Sequence, residues 1–139
     1  MNFIFLAIKE HPWGREMLSQ LLAAGFKPSL IIEEFSEGGE IEREKFEFRM
    51  GTHPLASTMK SQSAEHDIPV VEVPIHNDEH CMEHIEKAGP ELIVFGGTRI
   101  IRGKILEYGE SRGGVLNSHP GLLPECRGSA SPAWSVHEN

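Results

Sequence analysis

Apolar and polar positions change their period along the chain in a regular way. Residues Asn2 to Ile8 (NFIFLAI) form a short continuous apolar run, the pattern of a strand covered on both faces, as parallel sheets produce. After a turn at Pro12-Trp13-Gly14, REMLSQLLAAG sets Met17, Leu18, Leu21 and Leu22 on one helical stripe and stops at Gly25. KPSLIIEE predicts a second strand, and the three elements compose a βαβ unit with a right-handed crossover. From Glu33 to Arg49 the chain is acidic, interrupted by glycine and poorly periodic, which predicts an exposed loop.

The alternation then resumes. A helix is expected over HPLASTMKSQSAEHD, starting at His53 with proline in its first turn, followed by a strand at IPVVEVP. Asn77 is a good N-cap for DEHCMEHIEKAG, which has acids early, Lys87 late and Gly89 as its stop. PELIVFGG, Pro90 to Gly97, is another buried strand. Next come a helical stretch near Arg102 to Tyr108, a strand at GVLNSH, and a helix opening in SASPAWSVHEN with Pro132 in its first turn. Strands and helices in this rhythm predict an open, mainly parallel α/β sheet whose ligands bind beyond the carboxyl ends of the strands.

Composition narrows the function classes. A chain of 139 residues, 39% hydrophobic and 24% charged, suits one soluble domain. With 13 basic against 21 acidic residues the net charge is −8, which disfavours nucleic acid, because that binding rests on clustered Lys and Arg. Cys81 and Cys126 form no CxxC, so neither a disulfide framework nor a zinc knuckle is indicated. The apolar start ends at Lys9 and no run approaches the ~20 residues of a membrane helix, so a cytoplasmic protein without a membrane partner is expected.

Candidate chemistry concentrates in LNSHPGLLPECRG. In an extended segment Asn117 and His119 point to the same side and Ser118 to the other. Asn offers an NH2 donor for a developing oxyanion and His a proton carrier near neutral pH. Turn and capping roles are the alternative for the same two residues. His76, His80 and His84 recur every fourth position, but His76 precedes the helix, and a His pair lacks the third ligand that metal sites require, so no metal is expected. No GxGxxG follows the first strand, where IKEHPWGRE holds only Gly14, and there is no GxSxG or P-loop lysine.

GVLNSHPGLLPECRGSASPAW, with Asn117, His119, Leu122-Leu123-Pro124 and Arg127-Gly128 at their spacing, resembles the core of the folate-dependent formyltransferases. That family includes glycinamide ribonucleotide, methionyl-tRNA and nucleotide-sugar N-formyltransferases, and the element order from Met1 to Asn139 is similar to its N-terminal catalytic domain. The resemblance implies an open, mainly parallel Rossmann-like sheet with helices on both faces. It also implies formyl transfer from 10-formyltetrahydrofolate to an amine. Asn117 would then hold the formyl oxygen of the folate, and His119 would stabilise the tetrahedral intermediate and move protons. Thr98, Arg99, Ile100 and Ile101, from GGTRII, would line the pterin pocket.

Gly121 stands where the family often has Ser, and Cys126 where it often has an aromatic. The family's third catalytic residue, an Asp that orients the histidine, lies beyond the helix that SPAWSVHEN begins, and this sequence has no Asp after Asp78. The expectation is therefore an incomplete catalytic domain over residues 1–139, truncated on its C-terminal side, of low activity and able to self-associate through an uncovered sheet edge. Among acceptors, transfer RNA is disfavoured by the charge and glycinamide ribonucleotide by the glycine-poor first loop. This leaves a small amine such as a nucleotide-linked amino sugar; the rival is a formyltransferase-like binding module without catalysis.

Overall fold

The computed structural model describes residues 1–121, 123–126 and 131–137. Five strands, β1 (Phe3–Ile8), β2 (Leu30–Glu34), β3 (Val70–Val73), β4 (Leu92–Phe95) and β5 (Val115–Asn117), form one sheet in the order β3-β2-β1-β4-β5. Every pairing is parallel. The connecting helices are α1 (Pro12–Ala23), α2 (Glu37–Met50), α3 (Met59–Glu65), α4 (Glu79–Ala88) and α5 (Lys104–Glu110), with α6 (Ser131–His137) after β5.

The continuous apolar runs are explained by burial on both sides. In β1, Ile4 and Leu6 join Ile32, Ile93 and Phe95 on one face, where Cys81, Met82 and Ile85 of α4 and Ile105 of α5 cover them. The alternate residues Phe3, Phe5 and Ala7 join Ile31 and Val94 on the other face, under Leu18 of α1 and Met59 of α3. This is the two-residue strand period read out as two cores. At the ends of α1 and α4, Gly25 and Gly89 take positive φ.

Four local expectations are corrected. Pro12-Trp13-Gly14 is the first turn of α1, because His11 acts as its N-cap and accepts the Trp13 N–H at 3.2 Å. Residues 37–50 are helix α2, not a loop: Ser36 Oγ accepts the Gly39 N–H at 2.9 Å, Glu37 and Glu40 sit in the first turn and Arg49 in the last. Its sequence looks aperiodic because only Gly39 of this helix is buried. The helix expected from His53 starts at Met59; Thr58 caps it, and the Glu10 carboxylate accepts the N–H groups of Met59 and Lys60 at 2.9 and 3.1 Å. Asp78, not Asn77, caps α4 by accepting the Cys81 N–H at 2.9 Å.

Candidate active site

The carboxyl ends of the central strands are held close together by glycine. Beyond β4, the Gly96 N–H donates to the Leu6 carbonyl at 2.8 Å and the Ile8 N–H to the Gly97 carbonyl at 3.0 Å. A Cβ on Gly14 of α1 would lie 2.3 Å from the Gly96 oxygen, so the helix can approach the strand end only because Gly14 lacks a side chain. Gly97 adopts φ +81°, and a Cβ there would meet His11 Nδ1 at 2.7 Å.

The segment expected to line a pterin pocket leaves this point. Thr98 is half-buried and Arg99 exposed, Ile100 is 69% exposed, and Ile101 turns inward to pack in the core beside Ile105. Asn77, displaced from its expected capping role, clamps the segment instead. Its Nδ2 donates to the Ile100 carbonyl at 2.7 Å and its Oδ1 accepts the Arg102 N–H at 2.8 Å.

Beneath the segment lies a charged cluster that sequence reasoning did not find. Glu34, the last residue of β2, has both carboxylate oxygens engaged. Oε1 accepts the Ser36 hydroxyl and pairs with Arg99 Nη1 at 3.6 Å. Oε2 accepts the His76 N–H at 3.0 Å and lies 3.2 Å from His76 Nδ1. His76 Nδ1 makes no hydrogen bond, so its contact with Glu34 is electrostatic. His76 Nε2 lies 3.2 Å from the Ile32 carbonyl. Burial acts to raise the Glu34 pKa, but the His76 side chain, the Ser36 hydroxyl and the His76 N–H more than offset it and hold the carboxyl at about 2. His76, which follows β3, is thus bound to the end of β2 and is not part of a histidine row; His80 and His84, whose rings are 4.9 Å apart, lie on α4. Among the described residues no group of three His, Cys, Asp or Glu could hold a metal ion.

On the other side of β4, Asn117 stands level with Phe95 in the parallel register and is exposed at the strand end. His119, two residues on, is half-buried, and its Nδ1 lies 3.2 Å from both the nitrogen and the oxygen of Gly121. The Gly121 backbone therefore offers a partner to either imidazole tautomer and restrains the ring. A Cβ on Gly121 would lie 2.3 Å from Ser131 Cβ and 2.6 Å from the Cys126 oxygen, so glycine here lets the turn close onto the start of α6. Leu122 and residues 127–130, which include Arg127 and Gly128 of the motif, lie outside the described residues.

Two further groups at the strand ends are perturbed. Burial pushes His11 down to about 4, which keeps its Nδ1 free to accept from Trp13 near neutral pH. Burial pushes Glu33 up to about 7. Beside them a cleft of about 130 Å³ is lined by Ile8, Lys9, Glu10, Glu34, Phe35 and Ser36, with Glu40 and Arg43 of α2 at its rim.

No family model matches the sequence. The chain is 35% identical over 81 residues to the methionyl-tRNA formyltransferase of Chlorobium chlorochromatii, which covers 58% of this chain and 25% of that protein. It is 34% identical over 89 residues to the methionyl-tRNA formyltransferase of Syntrophus aciditrophicus, covering 62% of this chain and 27% of that protein. The chain thus spans about a quarter of the length of these curated relatives. Among solved structures, glycinamide ribonucleotide transformylase 1 of Symbiobacterium toebii superposes with a TM-score of 0.62 at 16% identity, covering 100% of this chain and 61% of that one. Phosphoribosylglycinamide formyltransferase of Bacillus halodurans gives 0.62 at 17% identity, covering 99% and 66%. The structural likeness establishes the Rossmann-like fold, and the sequence relatives support a domain similar to those of the folate-dependent formyltransferases. Among the described residues no helix is long and apolar enough to cross a membrane.

Proposed function

We propose that this domain transfers a formyl group from 10-formyltetrahydrofolate to the amine of a small molecule. One observation carries the reading: Asn117 ends β5 exposed and level with Phe95, with His119 two residues on and tethered to the Gly121 backbone. The folate supplies an activated formyl carbon. The Asn117 NH2 donates to the formyl oxygen as the incoming amine adds and negative charge develops there. His119 takes the proton that the attacking nitrogen must shed and returns one to the departing folate nitrogen as the old C–N bond breaks. Thr98, Arg99, Ile100 and Ile101 belong to the segment assigned to the pterin. Of these, Ile100 offers an exposed apolar surface, and Ile101 anchors the segment in the core.

A small amine, such as an amino sugar on a nucleotide, suits the acceptor side better than a polyanion. The net charge is −8, and the cleft beside β1 and β2 carries Glu10, Glu34 and Glu40 against Lys9 and Arg43. Methionyl-tRNA is the second reading, favoured by the names of the sequence relatives. The test is incubation with 10-formyltetrahydrofolate and a panel holding nucleotide-linked amino sugars, glycinamide ribonucleotide and methionyl-tRNA, with formylated products read by mass spectrometry. Formylation of a small amine, abolished by His119→Ala, is expected. Turnover that survives His119→Ala would show the assignment to be wrong.

A further inference from the structure

A carboxylate as deeply buried as Glu34 is an expensive way to end a strand, and an apolar residue would pack there without needing partners. What the carboxylate does provide is direction. One oxygen pairs with Arg99 Nη1 at 3.6 Å, and the other holds His76 through its N–H at 3.0 Å. His76 is itself fully buried, with Nε2 3.2 Å from the Ile32 carbonyl. Asn77, which follows it, grips the Ile100 carbonyl at 2.7 Å and the Arg102 N–H at 2.8 Å. The α2 start closes on the same guanidinium: a Cβ on Gly38 would come within 3.0 Å of Arg99 Cζ. Two arms from a single β2 carboxylate thus reach both ends of the 99–102 segment, although that segment follows β4, two strands away in the sheet.

We propose that Glu34 is the positioning residue of the folate-facing segment, holding Arg99 directly and Ile100 and Arg102 through His76 and Asn77. It acts on the pterin only through that segment. It sets the shape of the surface on which the pterin is read, and in that respect the proposal rests on the formyl-transfer reading above. Preorganisation of this kind acts on cofactor affinity, since a segment already in its bound shape has less conformational freedom to lose.

Glu34→Gln removes the charge at nearly constant shape, and Asn77→Ala removes only the exposed arm, where folding is not at stake. Amide hydrogen exchange at Arg102 and calorimetric titration with 10-formyltetrahydrofolate are measured on both variants and on the unaltered chain. The Arg102 amide is expected to exchange faster in both variants, and folate affinity to fall about tenfold, with KM for folate rising in both while kcat and the acceptor KM hold in Asn77→Ala, whose side chain lies outside the cleft. Unchanged exchange, or faster exchange with unchanged folate affinity, overturns the inference and leaves the proposed reaction standing. If the unaltered chain binds no folate, the proposed reaction fails and the inference falls with it, whatever the exchange data show.

Discussion

His76 and Glu34 meet inside the protein with their side chains 0% and 1% exposed, Nδ1 to Oε2 at 3.2 Å. The pair joins the ends of two adjacent parallel strands, and its contact has ionic character only while the imidazole keeps its proton.

The pair dictates an acid limit. Glu34 ionises at about 2 in the folded chain instead of the ordinary 4.5, so between those values the unfolded chain binds the extra proton. The stabilisation is therefore complete above about 4.5 and is lost as pH falls toward 2. In urea titrations Glu34→Gln is expected to lower stability at neutral pH and to flatten the decline below 4.5. A variant as acid-sensitive as the parent would show that other carboxylates govern acid unfolding.

Glu33, next to it in β2, works in the opposite direction. Burial raises it from 4.5 to about 7, so it is the folded state that retains the proton, and stability falls as pH rises from 4.5 through 7. Its Oε1 accepts the Glu10 N–H at 3.3 Å, a bond that an amide oxygen can also accept. Glu33→Gln is expected to match the parent near pH 4.5 and to melt higher than the parent above pH 7. Differential scanning calorimetry across this range checks it, and equal melting temperatures at high pH would contradict it.

These two neighbours show which parts of the molecule were legible in the sequence. β1 and β4 were legible because burial on both faces makes every position apolar, a pattern that needs no partner to be recognised. Asn117 and His119 drew notice because alternation along an extended segment would set them on one side; β5 ends at Asn117, so the sheet positions only the first of the two. Helix α2 was not, since a helix lying mostly in solvent has no apolar stripe, and its Ser36 cap with early acids was the signal to weigh. The Glu34–His76 pair joins residues 42 apart in sequence. A carboxylate after LII reads equally as the solvated end of a strand, and only the sheet order, which puts β2 between β1 and β3, makes it internal. The start of α3 was hidden for the same reason: besides its Thr58 cap, its first N–H groups are held by Glu10, from the other side of α1.

The glycine after β4 is a packing requirement. A Cβ on Gly96 would lie 1.9 Å from Phe5 Cζ, and Phe5 is wholly buried at the centre of the sheet. Gly96→Ala should destabilise by about 2 kcal/mol or more through overpacking. Gly25→Ala meets nothing within 4 Å and is strained only by its φ of +83°, costing about 1 kcal/mol. Urea midpoints on the two variants separate these causes; equal losses would mean that the Phe5 contact is relieved elsewhere.

Asn117 tests the chemistry apart from the fold. It is exposed at the end of an edge strand, and among the described residues no hydrogen bond engages its side-chain amide, so replacing it costs the core nothing. Asn117→Asp keeps the shape but removes the NH2 donor and adds a negative charge where the formyl oxygen would acquire its own. On the formyl-transfer reading kcat should fall by about 10²- to 10³-fold, the scale of losing one oxyanion donor, with the melting temperature unchanged. Folate affinity should fall much less, because the donor is used most where charge develops. Asn117→Ala, which removes the donor without adding a charge, is expected to be the less damaged of the two. If both variants turn over like the parent, the oxyanion is stabilised elsewhere, and Asn117 reverts to a strand-terminating residue.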